Sequence, residues 1–283
     1  MPSWTNATGP ASGLLRPAET VHEAGLRRDA PVSPALAPFV ERYWSVRWDR
    51  SGRPPHRSEV LSHPSVNLSV ESGSEPRFGV AMPAVLVHGV TTRRFTIDLV
   101  GTGRVTAAKF RPGGWVAFGG RLPGRATAAP LGRALGLDDG RLLDSVLAEE
   151  DDDARAAVLD TALAPLAPAP APAYEDLLAL VERMAADRTL VRVEQVAALG
   201  ALGVRSLQRL FATYVGLSPK AVLARYRLQD AAATIDAGGV GDLAGLAASL
   251  GWFDQAHFSR EFSAVVGQTP SAYLRRARAD ARR

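Results

Sequence analysis

In the last third of the chain, apolar residues recur at helical spacing in short blocks broken by glycine. Leu243, Leu246, Ala247 and Leu250 form one stripe; Phe258, Phe262, Val265 and Val266 form the next. Gly251 lies between them, where a left-handed residue ends a helix at little cost to glycine. Asp242 and Asp254 stand where N-caps belong. Gln255, Ala256, Ser259 and Arg260 face away from the second stripe, and His257 borders them in a structural role. This pattern predicts a helix-turn-helix whose second helix fits the DNA major groove, where Arg and Gln read base edges.

The unit occurs twice. Val193, Val196, Ala197 and Ala198 precede Leu243, Leu246, Ala247 and Ala248 by fifty positions, whereas Arg209, Phe211, Gly216, Pro219 and Leu223 precede Arg260, Phe262, Gly267, Pro270 and Leu274 by fifty-one. The change of one falls in the turn. Such a repeat is far more specific than a single helix-turn-helix pattern. In the first unit Leu207, Leu210 and Phe211 point inward and Arg205, Gln208 and Arg209 outward. A helix over 220–236, with Pro219 at its first position, connects the units through Val222, Leu223, Tyr226, Leu228 and Ala232. Lys220, Arg225, Arg227, Arg275 and Arg276 are candidate phosphate neutralisers, and the starts at Ser218 and at Thr269 to Ser271 offer backbone N–H groups to phosphate.

Residues 174–278, most strongly Gly251 to Leu274 with Asp254-Gln255-Ala256-His257-Phe258-Ser259-Arg260-Glu261-Phe262 and Gly267-Gln268-Thr269-Pro270, resemble the C-terminal DNA-binding domain of the AraC/XylS family of bacterial transcription regulators. The resemblance implies that Arg205, Gln208, Arg209, Gln255, Ala256, Ser259 and Arg260 face DNA, and that the connecting helix sets the separation of the two reading helices. Three departures stand out. Ala201 replaces the glycine of the first turn, a strained choice if its φ is positive. Gly203 replaces a Ser or Thr cap. Phe253 replaces a small polar residue in the second turn.

Upstream the period changes. Val40–Trp48, Glu59–Leu61, Val66–Val70, Phe78–Val80, Val85–Gly89, Arg94–Leu99 and Val105–Phe110 read as short strands between glycine and proline breaks, hence an antiparallel sheet or small barrel. The segments His63-Pro64-Ser65-Val66-Asn67-Leu68 and Lys109-Phe110-Arg111-Pro112-Gly113-Gly114-Trp115 are similar to a poorly characterised N-terminal domain found on some AraC-type regulators, which by analogy implies a cupin-like fold. Trp44, Trp48, Phe110 and Trp115 are candidates to line an apolar effector pocket, with plain core as the competing role. His22, His56, His63 and His88 lack metal-ligand spacing, so no metal and no cofactor is expected. Residues 131–163 read as a helical pair around the acidic run Glu149 to Asp153, taken as a solvated loop.

The expected fold class is α+β and multidomain: a mainly-β, cupin-like N-terminal domain with accessory helices, and an all-α C-terminal domain with two helix-turn-helix units. The expected boundaries are a loosely ordered segment over 1–30, with disorder through Gly13, an effector or dimerisation domain over 31–163, an Ala/Pro linker over 164–173, and the DNA-binding domain over 174–283. Ten linker residues in polyproline II at about 3.1 Å each would span roughly 30 Å and isolate the C-terminal domain.

Composition narrows the function. The chain of 283 residues has no cysteine, which excludes thiol catalysis and argues against an alkyl-transferring DNA repair enzyme. Residues 173–283 carry 14 Lys+Arg and 11 Asp+Glu, a net +3; residues 1–172 carry 19 and 18, a net +1. The positive excess therefore sits where DNA contact is expected. No apolar run has the length of a membrane span, and the expected compartment is the cytoplasm. The reading is a sequence-specific transcription regulator that binds double-stranded DNA, modulated by a small molecule or by self-association as a homodimer, with RNA polymerase as a further partner. A cupin-type metal enzyme fused to a DNA-binding domain and an effector-free architectural protein are the alternatives.

Overall fold

The computed structural model describes residues 13–15, 25–123, 128–132 and 134–280. Among them, eight strands form two sheets: β1 (Gly25–Ala30), β2 (Val40–Asp49), β3 (His56–Val60), β4 (Asn67–Gly73), β5 (Ala84–His88), β6 (Phe95–Leu99), β7 (Thr102–Phe110) and β8 (Ala128–Pro130). The larger sheet runs β1-β2-β7-β4-β5-β8, and β3 pairs with β6 in a second sheet; every pairing is antiparallel. The segment 78–80 is not a strand but a tight bridge between Arg77 and Val80.

The central strands are covered on both faces. Tyr43, Ala108, Leu68 and Val87 lie in register on one face, and Trp44, Ala107, Ser69 and Leu86 on the other. The adjacent aromatics Tyr43 and Trp44, which break a one-sided alternation, are thereby explained. Helices α1 (Gly114–Ala117), α2 (Asp139–Leu147) and α3 (Asp152–Leu163) follow the strands, and α2 and α3 pack on the first face. The Tyr43 hydroxyl donates to Asp160 on α3 at 2.9 Å. The acidic run is not merely solvated: Asp151 caps α3 by accepting from the N–H of Asp153 and Ala154, and Asp152 pairs with buried Arg104.

The C-terminal helices are α4 (Pro172–Ala186), α5 (Val193–Leu199), α6 (Val204–Tyr214), α7 (Pro219–Asp236), α8 (Leu243–Ser249), α9 (Gln255–Val266) and α10 (Pro270–Asp280). Two expectations on chain organisation need correction. Within 164–173, Ala164–Leu166 forms a 3-10 turn and Pro172 opens α4, which leaves only Ala167 to Ala171 as extended connection. Proline fits the first turn of a helix, where its missing N–H has no partner to lose. Nor does the connection isolate the C-terminal half. Tyr174 stacks on Phe39 at 5.7 Å and donates to the Pro38 carbonyl at 2.7 Å. One apolar core runs from Val40, Leu68 and Phe110 through Tyr174 and Leu177 to Leu207 and Phe211. A second joins Leu15 and Leu61 to Leu228, Trp252, Phe258, Phe262 and Tyr273.

The described parts of the 1–30 segment, 13–15 and 25–30, are more structured than their composition suggests. β1 pairs with β2, and Leu15 is buried with its N–H bonded to the Glu59 carbonyl at 2.9 Å. Of the disorder expected through Gly13, residues 1–12 fall outside the described residues, whereas the Gly13 carbonyl accepts from the Leu61 N–H at 2.6 Å.

Candidate nucleic-acid interface

Each unit buries the inner face of its second helix behind a tight turn. In the second unit Phe258 and Phe262 are fully buried at 5.5 Å, and Tyr273 of α10 meets Phe262 edge-on at 5.6 Å. Gly251 has φ 80°. Asp254 caps α9 by accepting from the His257 N–H at 2.6 Å, and Asp242 caps α8 by accepting from Gly245 at 2.7 Å. In the first unit Leu207 and Phe211 are buried, but α6 starts at Gly203 without a side-chain cap. Ala201 has φ 49°, so the strain expected of an alanine in that turn is present. Ala201→Gly should raise unfolding stability by roughly 0.5–1 kcal/mol, the left-handed penalty exceeding glycine's extra chain entropy. Denaturant titration of the full chain checks this, and an unchanged or lower midpoint would show the strain to be absent.

With the apolar faces inward, Arg205, Gln208 and Arg209 on α6 and Gln255, Ala256 and Arg260 on α9 are exposed. Ser259 is half-buried, and its carbonyl accepts from Ser263 Oγ at 2.6 Å. His257 pairs with Glu261 one turn on at 3.4 Å, in keeping with a structural role. Ser218 and Thr269 are exposed caps that accept from the N–H groups of Ala221 and Ala272, each at 3.2 Å, and Lys220, Ser271, Arg275 and Arg276 are exposed beside them.

Two arginines proposed for phosphate are engaged elsewhere. Arg227 lies over the Trp252 ring at 4.5 Å, donates to the Gly251 carbonyl at 3.1 Å and pairs with Glu261 at 3.6 Å. It ties α7 to the second turn, so its charge is spent within the protein. Arg225 is buried and donates to the Thr91 carbonyl at 2.7 Å; burial lowers its pKa to about 10.

The Arg225 contact belongs to a joint that sequence patterns do not reveal, because its partners are far apart in the chain. Gln229 of α7 donates to the Leu61 carbonyl at 2.6 Å. The Arg94 backbone N–H donates to Val265 O at 2.8 Å, and its guanidinium reaches Val266 O and pairs with Glu59. Arg94 thus holds the carbonyl end of α9, where a cation suits the helix dipole. The two N-terminal segments singled out by resemblance meet here. Lys109 Nζ lies 3.0 Å from His63 Nδ1 and 2.8 Å from Glu41, and the His63 ring meets Tyr226 of α7 edge-on at 5.9 Å. Burial raises the Glu41 pKa, but the Lys109 and Arg42 charges, with the Lys109 hydrogen bond, outweigh it and bring it down to about 2. Burial, then the Lys109 charge, hold His63 neutral, well below its ordinary pKa of 6.5.

For His63 the unfolded chain therefore binds the extra proton. Its contribution is complete above about pH 6.5 and is lost as pH falls below that value, by up to about 1.4 kcal/mol per pH unit. His63→Gln keeps an acceptor for Lys109 and should flatten the fall in stability between about pH 6.5 and 5. Chemical denaturation of both proteins across that range tests this; identical pH profiles would assign the dependence to another group.

The four aromatics offered as an effector pocket do not assemble one. Trp44 and Trp48 sit between the two sheets with Val105, Ala107 and Leu99, whereas Phe110 and Trp115 pack edge-on at 5.1 Å in the core under the helices. Strand alternation sends Trp44 and Trp48 to one face of the sheet and Phe110 to the other, where Trp115 of α1 joins it. His88 bonds to Glu71 at 2.7 Å, with Ser69 beside both. Among the described residues no group of three or more His, Asp or Glu is placed to hold a metal, and no helix is long and apolar enough to cross a membrane.

Comparison with known proteins agrees with this geometry. Residues 196–276 match the family model of a helix-turn-helix domain, and residues 28–127 match that of a domain of unknown function, DUF6597. No curated protein sequence matches the chain. Solved structures similar to it include the C-terminal domain of AraT, a response regulator from Geobacillus stearothermophilus, at 22% identity over 34% of this chain and 84% of that one, TM-score 0.31. ToxT from Vibrio cholerae is similar at 9% identity over 89% of this chain and 97% of that one, TM-score 0.41; ToxT with bound unsaturated fatty acid is similar at 13% over 89% and 91%, TM-score 0.37. The class defined by the two units is that of DNA-binding transcription regulators. More narrowly, the chain joins a C-terminal helix-turn-helix domain to an N-terminal DUF6597 domain.

Proposed function

We propose that this regulator recognises a specific DNA sequence by placing α6 and α9 in successive major grooves, with Arg205, Gln208, Arg209, Gln255, Ala256, Ser259 and Arg260 toward the bases. The observation that carries the reading is the repeat in three dimensions: Phe211 and Phe262 are both buried, and Arg209 and Arg260, two residues before them, are both exposed. Ser218, Lys220, Thr269, Ser271 and Arg275, exposed around the starts of α7 and α10, supply phosphate contacts. The same reading has the N-terminal domain modulate DNA binding, through a small molecule or self-association, because its contacts hold both α7 and the end of α9. Selection of duplex DNA from a random pool by the full-length protein tests the proposal. The expected product is a site with two recognised segments about 10 base pairs apart. Binding without enrichment of any sequence would refute it.

A further inference from the structure

Phe253 is the residue by which the second turn exceeds the first. Ala201 and Leu202 align with Gly251 and Trp252, and the N-caps Gly203 and Asp254 then align one position later, so that Phe253 has no counterpart. Its side chain is 93% exposed, more than any other large apolar side chain among the described residues.

Both neighbours are fixed. Trp252 is buried at 4.9 Å from Phe258, its backbone N–H bonds to Ala247 O at 3.0 Å, and its indole N–H donates to Glu261 at 2.7 Å. On the other side the Asp254 carboxylate caps α9. With Trp252 turned into the core and Asp254 committed to the helix, Phe253 projects outward at the N-terminal end of α9, next to exposed Gln255 and Ala256. Recognition helices meet base edges with their N-terminal residues. The apolar group that the major groove presents there is the thymine C5-methyl.

We propose that Phe253 is a specificity-determining residue that packs on a thymine methyl beside the base pairs read by α9. This rests on the reading of α9 as a groove-entering helix. The first turn has no equivalent side chain, so the methyl requirement belongs to one half of the site only.

The test uses the full-length protein and a duplex selected from a random pool, with each thymine replaced in turn by uracil. The exchange removes the methyl and leaves every hydrogen-bonding group. Wild-type protein should lose about three- to fivefold in affinity at one or two thymines in one half of the site. Phe253→Ala should show that loss on the parent duplex and be indifferent to those uracils. Because the side chain is exposed, its melting temperature should match wild type. Arg260→Ala is measured alongside. If Phe253→Ala binds the parent duplex as tightly as wild type, weakens equally on unrelated DNA, or keeps the wild-type uracil profile, the proposal is overturned, while a loss at Arg260→Ala leaves the role of α9 standing. If neither variant alters binding, the reading of α9 falls and the proposal falls with it.

Discussion

Phe262→Ala should lower the unfolding free energy by about 3–5 kcal/mol, and Phe211→Ala by a similar amount. Both rings are fully buried, Phe211 on the inward face of α6 and Phe262 on that of α9. The two losses should differ in reach. Phe262 sits in the core that holds Trp252, Phe258 and Tyr273, apart from the core under the large sheet. Its removal should loosen α8 to α10 and the end of α7 that packs on them first, seen as faster amide exchange in those helices. Phe211 belongs to the core that continues into the β-sheet, so Phe211→Ala should speed exchange there as well. Denaturant titration gives the magnitude and hydrogen exchange the reach. An unchanged midpoint for Phe262→Ala would contradict its inward placement.

Arg260→Ala should cost about 1–3 kcal/mol of binding on the selected duplex and relax preference at one or two base pairs. Arg209→Ala should change specificity less. The reason lies in how firmly each helix is aimed. The second turn has a left-handed glycine, a carboxylate cap and a tryptophan held by Arg227 and Glu261. The first has a strained alanine and an uncapped start. Binding of both variants to the parent site and to single-base variants, at two salt concentrations, separates the cases. A uniform loss across sequences with a shallower salt slope at Arg260 would make it a phosphate contact.

The two helix-turn-helix units were legible because their information is local: a period near 3.6, a glycine or alanine in each turn, and Pro219 and Pro270 at helix starts. Six of the seven strands expected from Val40 to Phe110 were legible for the same reason, with ends shifted by a few residues; the seventh, 78–80, is a bridged turn. What escaped depends on distant partners. β1, with the sequence Gly-Leu-Arg-Arg-Asp-Ala, has little strand propensity of its own and exists through its pairing with β2. Arg227 looked like a phosphate contact because helical spacing gives its direction but not the tryptophan waiting over it. The proline-rich connection looked like a spacer because composition reports backbone stiffness and is silent about Tyr174 lying on Phe39.

That stacking also bears on covalent continuity. The halves are held by shared apolar cores and by hydrogen bonds from Tyr174, Arg225, Gln229 and Arg94, while the extended connection between them is only Ala167 to Ala171. The peptide bonds there carry little of the cohesion. A protein nicked at Ala169 should migrate as one particle under native conditions, and the two pieces made separately should complement one another in solution. The bridge can be cut and the assembly stays whole.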